Sequence, residues 1–234
     1  MKRFKPIRST CCTTVFATMA MALPGGCESD MTGVITKDVG AFRRIEKSPT
    51  PVPAEVLSQA KAVAIFSSTQ AGVVLGGKGG VGVFLKRLDD GFSPPLAIDL
   101  IEGSIGLQIG AQSEDSVYVF KTDEAVKRFL TKGRYAVAQA AGSFGTGSGS
   151  TDPVDVSKTD VVVYTNATGV YGGVVVGGSG FKIDEDLNRK TYGADVTTDM
   201  IVNGKVKPPP GATVLWKLLK SEETAKNRQA TAKE

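Results

Sequence analysis

The side chains that could do chemistry are unevenly distributed along the 234-residue sequence. The chain has no histidine, which excludes Ser-His-Asp and Cys-His nucleophile pairs and the usual zinc-protease helix. Its three cysteines, Cys11, Cys12 and Cys27, all lie near the N-terminus, so no thiol remains further along for a metal site, a disulfide or a nucleophile. Only scattered carboxylates therefore remain to serve an enzyme, so we rank an enzyme behind a binding or structural role, and we expect no metal and no cofactor.

The carboxylates form short clusters, and each cluster falls at a predicted turn, where acids are common for local reasons. None of the clusters has the spacing of a known calcium loop. Asp99 differs, because it lies between Ile98 and Leu100 in an apolar strand pattern. A tuned catalytic carboxylate would fit this position, but we favour a satisfied or outward-facing strand residue. The clusters are Asp89-Asp90, Glu114-Asp115 and Asp184-Glu185-Asp186.

A glycine-rich run, Gly77-Lys78-Gly79-Gly80-Val81-Gly82, matches the dinucleotide-binding fingerprint letter for letter. That motif needs a helix after it, because the helix N-terminus supplies the positive field for phosphate. Here the apolar alternation continues as a strand, so we exclude nucleotide binding. Lys78 is predicted to lie in a glycine-rich turn, either as an ordinary solvated lysine or as a cation open to an anionic headgroup.

The formal net charge of +4 reflects the N-terminus and not the main part of the chain. The first 27 residues contain four basic residues and no acid, and the remainder has 24 of each sign. No long basic run with interleaved aromatic residues occurs. The sequence therefore gives no support for a nucleic-acid partner.

Residues 1–27 resemble an export signal, with a basic start, a short apolar stretch from Cys11 to Leu23, and small residues before Cys27. Ala20-Met21-Ala22 fits ordinary secretory cleavage. Leu23-Pro24-Gly25-Gly26-Cys27 resembles an imperfect lipoprotein box, in which Cys27 would be acylated. We favour lipidation at Cys27. Both interpretations predict an exported protein that is periplasmic or membrane-anchored.

The segment from Ile35 to Lys47 predicts an amphipathic helix with an apolar stripe and a basic face. The basic face contains Arg43, Arg44 and Lys47. This helix could face a membrane, with its stripe against lipid and its cations against phosphates. Alternatively, the stripe packs on the sheet and the cations form a solvated surface.

Short strand patterns follow one another after the Pro-rich connector at residues 49–53. Helices are predicted at 54–60, at 122–131 with Thr122 as the N-cap, and at 212–221 around Trp216. We expect an α+β fold in which about nine short antiparallel strands form a curved sheet, sandwich or barrel with flanking helices, and we favour closure over an open sheet. The predicted strands are 62–67, 71–75, 80–88, 96–101, 103–112, 116–121, 135–141, 160–165 and 169–176.

Several of these motifs, taken in order, are similar to those of the SYLF domain family. The resemblance runs from about Pro53 to about Val206. It implies a lipid-binding module that is not an enzyme, with phosphoinositides as ligands of eukaryotic members and actin as a partner of some. An exported protein would meet no actin, so that partner is not carried over. The motifs are Ala60 to Phe66, the glycine-rich run to Arg87, Phe92-Ser93-Pro94-Pro95, Gly106 to Gln112 ahead of Val117 to Phe120, Gly169 to Val174, and Tyr192-Gly193.

We therefore predict an export signal over 1–27, an amphipathic helix and connector over 28–52, a SYLF-like domain over 53–221 and a charged tail over 222–234. The predicted function is a lipid-binding module for anionic phospholipids or phosphoinositides, anchored in the cell envelope through Cys27. Arg43, Arg44, Lys47 and Lys78 are the predicted lipid-binding residues. The competing hypothesis is a non-enzymatic structural or protein-interaction protein of the envelope, whose partner is not predicted.

Overall fold

The computed structural model describes residues 30–144 and 160–220, and within 70–78, 101–112, 134–144 and 168–179 it describes the backbone alone. The predicted export signal, Cys27 and the charged tail lie outside these residues. The helices are α1 Met31–Glu46, α2 Ala54–Ser58, α3 Asp123–Lys132, α4 Glu185–Tyr192, α5 Thr198–Val202 and α6 over 212–220. The strands are β1 Ala62–Leu88, β2 Gly91–Phe92, β3 Leu96–Phe120, β4 Arg134–Phe144 and β5 Val161–Ile183.

The expected α+β class with a curved antiparallel sheet is confirmed, but the strands are fewer and longer than predicted. All described pairings are antiparallel, and the strand order is β2-β1-β3-β5-β4. The breaks predicted at 68–70, 76–79, 113–115 and 166–168 are instead paired across the ladder, as Gly77 is with Gly103 and Glu114 with Ala167. Backbone hydrogen bonds thus carry the strands through positions where sequence alone predicts a break.

β1 is bent back on itself. A straight strand of 27 residues would be roughly 90 Å long, yet the Arg87 backbone N–H donates to the Lys61 carbonyl at 2.8 Å. Near this contact a Cβ on Gly82 would lie 2.1 Å from the Ile65 carbonyl oxygen, so only glycine allows the backbones to approach so closely. Because β3 and β5 follow β1 in register, they share its curvature. Across the described strands the linear order does not return to β2, so the predicted closure is wrong and the sheet is open.

The bend brings aromatic side chains from the two ends of the long strands into one cluster. Phe181 lies 5.7 Å from Phe66 and 5.3 Å from Tyr118, measured between ring centroids, and Phe84 lies 5.4 Å from Phe120. α3 covers this cluster with Phe129, whose ring lies 4.9 Å from that of Phe84. These aromatic contacts hold the two ends of the sheet together.

The alternate residues of the same strands face a second cluster, which is covered by α1 and α6. Val63 and Ile65 belong to this cluster, whereas Ala62, Ala64 and Phe66 belong to the aromatic one, as the two-residue period of a strand requires. α6 contributes Leu215 and Leu219. α1 is therefore part of the same core as the sheet. The α1 side chains in this core are Met31, Val34, Ile35, Val39, Ala41, Phe42 and Ile45.

Local sequence signals explain where the helices begin and end. The Asp30 carboxylate caps α1 by accepting from the Gly33 N–H at 2.7 Å. The predicted cap of α3 is confirmed, because the Thr122 hydroxyl accepts from the Ala125 N–H and Gly133 follows the helix at φ 63°. The acidic cluster Asp184-Glu185-Asp186, predicted to lie at a turn, instead begins α4, with Asp184 as its N-cap. The short α5 was not predicted.

Candidate functional site

α1 has one face in the core and one in solvent. Its apolar stripe is almost fully buried, with Ile35, Phe42 and Ile45 each at most 1% exposed. Of the two interpretations of this stripe, contact with lipid is therefore wrong for this structure, and packing on the sheet is confirmed. What α1 presents to solvent is its polar face.

The solvent face of α1 is basic. Lys37, Arg43, Arg44 and Lys47 are exposed, and Lys37, Arg43 and Lys47 form no ion pair with any described residue. Glu46, an acid on the same helix, uses its carboxylate to accept from the Val52 N–H at 3.2 Å. The predicted cations thus lie together at the C-terminal end of α1, where positive charge also suits the helix dipole.

Arg44 differs from its neighbours because it is paired. Its Nε lies 2.6 Å from Oδ2 of Asp115 and its Nη2 lies 2.8 Å from Oδ1, which is a bidentate ion pair between α1 and β3. The Asp115 side chain is 9% exposed and that of Arg44 is 52% exposed. Hydrogen bonding to Asp115 raises the pKa of Arg44. Among the predicted lipid-binding residues whose side chains are described, Arg44 is thus the one with a structural role.

Asp38 lies beneath the same helix and is fully buried. Neither of its carboxylate oxygens has a hydrogen-bond partner in the described part of the chain. Burial raises its pKa well above the ordinary 3.8, and the nearby charge of Asp115 adds to the shift, while the Val83 and Ser67 backbones and Lys37 oppose it. Sequence analysis missed Asp38, although a signal existed: it stands three residues after Ile35 and four before Phe42, at core spacing.

Two other predicted residues are located within strands. The Lys78 backbone pairs with Glu102 inside β1, so the predicted turn is wrong; its side chain is not described. Asp99 is half-buried in β3, and its carboxylate lies 3.5 Å from Nζ of Lys182, its register partner on β5. Burial raises the pKa of Asp99. Asp99 is thus the satisfied strand residue that sequence analysis favoured.

A groove of about 450 Å³ opens at the N-terminal end of α1. Its walls are the first residues of α1, the C-terminal half of α4 and the segment 206–210. Met31 and Leu187 supply buried apolar surface, and Lys190 and Lys207 supply exposed ammonium groups. Sequence analysis did not predict this groove, because its three walls are far apart along the chain.

Among the residues that the structure describes, no group of three or more His, Cys, Asp or Glu side chains is arranged to hold a metal ion. None of the helices in the same residues has the length and apolar character needed to span a membrane.

Comparison with known proteins gives a consistent result. Residues 101–222, just over half of the chain, match the family model Ysc84, described as "Las17-binding protein actin regulator". LAS seventeen-binding protein 3 of Saccharomyces cerevisiae is 33% identical over 176 residues, which cover 73% of this chain and 38% of that protein. SH3 domain-containing YSC84-like protein 1 of Homo sapiens is 31% identical over 175 residues, covering 73% of this chain and 51% of that protein.

The chain therefore spans about two fifths to half the length of these relatives. No solved structure matches it. The family model and the relatives agree with the motifs read from the sequence. The family model and the yeast relative are named for binding or regulation. This chain belongs to the Ysc84 family, the family of the SYLF domain.

Proposed function

We propose that the solvent face of α1 binds anionic phospholipid and that acylated Cys27 holds the domain at a membrane of the cell envelope. The observation that carries this proposal is the charge of that face. Lys37, Arg43 and Lys47 project from one helix without an ion-pair partner among the described residues, and the adjacent Glu46 carboxylate is bonded to the backbone. Such a face attracts a negatively charged membrane surface.

The contact is electrostatic and superficial. The apolar stripe of α1 packs among Val63, Ile65 and Val117 in the core, so inserting it into lipid would expose that core. Each cation near an anionic surface contributes about 1 kcal/mol. Arg43 and Lys47 therefore carry most of the binding, and Arg44 carries less because Asp115 holds it. Lys78 remains a predicted contact.

Vesicle flotation tests this proposal with the protein beginning at Glu28, which lacks Cys27 and retains every described contact of the fold. We expect binding to vesicles of phosphatidylcholine with 30% phosphatidylglycerol at low salt, no binding to pure phosphatidylcholine, and weaker binding at high salt. The variant Arg43→Gln/Lys47→Gln should lose about 2 kcal/mol, or roughly thirtyfold in partitioning.

The charge-matched control is Lys127→Gln/Lys132→Gln, on the exposed side of α3 and remote from the α1 cluster. It should bind within about threefold of wild type. Equal losses in the two double variants would show that net charge, and not the α1 face, determines binding. A wild-type protein that ignores anionic vesicles at low salt would contradict the proposal.

The second candidate is a non-enzymatic protein-interaction role in the envelope. It is favoured by the names of the relatives, since the yeast protein is named for binding another protein and the family model is described as an actin regulator. In this case the exposed cations of α1 would meet an acidic protein surface, and Cys27 would only set the location. Absence of vesicle binding would direct the search to such a partner.

A further inference from the structure

The groove at the N-terminal end of α1 has the lining of a site for an amphiphilic anion. Leu187 is 6% exposed and Met31 is 3% exposed, so the groove has apolar walls of fixed side chains. Tyr192 adds a half-buried ring, held in place because its hydroxyl donates to the Pro95 carbonyl at 2.5 Å. The cavity of about 450 Å³ falls within the size range of small-molecule sites.

The charged groups of the groove favour an anion. Lys190 and Lys207 both line it, and both are exposed, so their ammonium groups can reach a ligand without a large desolvation cost. Among the described residues, the lining has one carboxylate, that of Asp30, which caps α1 by accepting from the Gly33 N–H at 2.7 Å. Two cations beside an apolar wall match the phosphate and the adjoining glycerol of a phospholipid.

The position of the groove also suits a lipid. Asp30, in its wall, is three residues from Cys27, and three extended residues span at most about 11 Å. Thr32, also in the wall, belongs to the exposed stripe of α1 that continues through Arg43 to Lys47. A membrane that holds an acyl chain on Cys27 and touches Arg43 and Lys47 would therefore lie next to the mouth of the groove.

We propose that this groove is a phospholipid headgroup site, in which Lys190 and Lys207 bind the phosphate and the walls formed by Met31, Leu187 and Tyr192 contact the glycerol and the first methylenes. The site rests on the proposed function, because that function brings the groove to the membrane. It adds a defined pocket for one lipid molecule to the diffuse attraction of the α1 face.

The test is an NMR titration of the protein from Glu28 onward with dihexanoyl phosphatidylglycerol below its micelle concentration. Saturable shifts are expected for the amides of Met31, Thr32, Thr191 and Val206. Inorganic phosphate, titrated in parallel, should bind at least tenfold more weakly because it lacks the apolar part. Lys190→Gln/Lys207→Gln should raise the dissociation constant at least tenfold, while the charge-matched Lys127→Gln/Lys132→Gln should change it less than twofold.

Three results would overturn the site: no shifts in the groove, equal effects of the two double variants, or phosphate binding as tightly as the lipid, which would indicate a free-anion site. Flotation separates this failure from failure of the proposed function. If wild type floats with anionic vesicles while the titration leaves the groove unshifted, the α1 face binds membranes without the groove. If wild type does not float, the proposed function fails, and the titration still decides whether the groove binds a phospholipid.

Discussion

Arg44 on α1 and Asp115 on β3 are 71 residues apart in sequence and form a bidentate ion pair, with N–O distances of 2.6 and 2.8 Å. The pair joins α1, whose solvent face is basic, to β3 in the middle of the sheet. It also divides the cations of α1 into two kinds, because Arg44 is committed to the fold while Arg43 and Lys47 are exposed without an ion pair in the described residues.

Replacing Arg44 with alanine should destabilise the fold. The change leaves the buried Asp115 carboxylate without its cationic partner. Its negative charge is then no longer offset and repels a negative charge on Asp38 more strongly. Hydrogen bonds to charged groups contribute about 1.5–3 kcal/mol, and exposure of half the Arg44 side chain reduces this, so we expect a loss of about 1–2 kcal/mol. Urea unfolding measures it. The neighbouring Arg43→Ala should stay within about 0.5 kcal/mol of wild type, and an equal loss there would contradict the role of the pair.

Removing both partners of the ion pair should hardly affect membrane binding. The double variant Arg44→Gln/Asp115→Asn leaves the net charge unchanged and deletes no exposed unpaired cation. Its partitioning onto anionic vesicles at low salt should remain within about twofold of wild type, whereas Arg43→Gln should lower partitioning by about fivefold, or 1 kcal/mol. Cosedimentation of both proteins with the same vesicles provides the comparison. A larger loss from the neutral pair than from Arg43 would mean that Arg44 contacts lipid directly.

Replacing Asp38 with asparagine should have a pH-dependent effect on stability. Because the folded protein raises the pKa of Asp38 above 3.8, it holds this proton more tightly than the unfolded chain does. The stabilising contribution of Asp38 is therefore complete below about pH 3.8 and declines as the pH rises toward the folded-state pKa. The stability of Asp38→Asn relative to wild type should increase over this window, by up to about 1.4 kcal/mol per pH unit.

The groups that face Asp38 are Asp115, Lys37 and the backbones of Val83 and Ser67. Urea unfolding of both proteins at a series of pH values gives the difference directly. Asp89→Asn, at an exposed turn, is the control for general effects of removing a carboxylate. If the difference in the free energy of unfolding between Asp38→Asn and wild type does not change with pH, the raised pKa of Asp38 is contradicted.

Gly82 and Gly79 should respond oppositely to alanine. A Cβ at Gly82 would lie 2.1 Å from the Ile65 carbonyl oxygen and 2.5 Å from the Phe66 ring, and the backbone atom cannot move without disturbing the bend of β1. We expect a loss of at least about 3 kcal/mol, or failure to fold. At Gly79 the nearest atom would be 3.9 Å away, so Gly79→Ala should be neutral or stabilising by up to about 1 kcal/mol. Thermal unfolding gives the melting temperature of each variant. Similar melting temperatures for the two variants would argue against the close approach of the two ends of β1.

Local features of the fold were predictable because their causes lie within a few residues. The Thr122 hydroxyl caps the start of α3, and Gly133 ends the helix because it adopts a positive φ. The alternation of apolar residues around Ile65 correctly predicts that its side chain lies on one face of a strand. The continuity of β1 through its glycines was not predictable, because it depends on partners such as Gly103 and Gly110 that lie on another strand. The same holds for Asn188, whose side-chain amide accepts from the Ala97 N–H at 2.8 Å and donates to its carbonyl at 3.0 Å.

Some features of the candidate site were likewise predictable from the sequence, and others depend on the tertiary structure. Sequence alone established that α1 has an apolar stripe and a basic face, since helical periodicity fixes which residues share a face. It could not decide whether the stripe contacts lipid or protein, because removing apolar surface from water lowers the free energy in both environments. Tertiary structure decided this: the bent sheet offers Val63, Ile65 and Val117 as a surface that fits the stripe, and α1 buries it there. That packing leaves the cations outward, binds Arg44 to Asp115 and brings Lys190 and Lys207 to the groove at the start of α1.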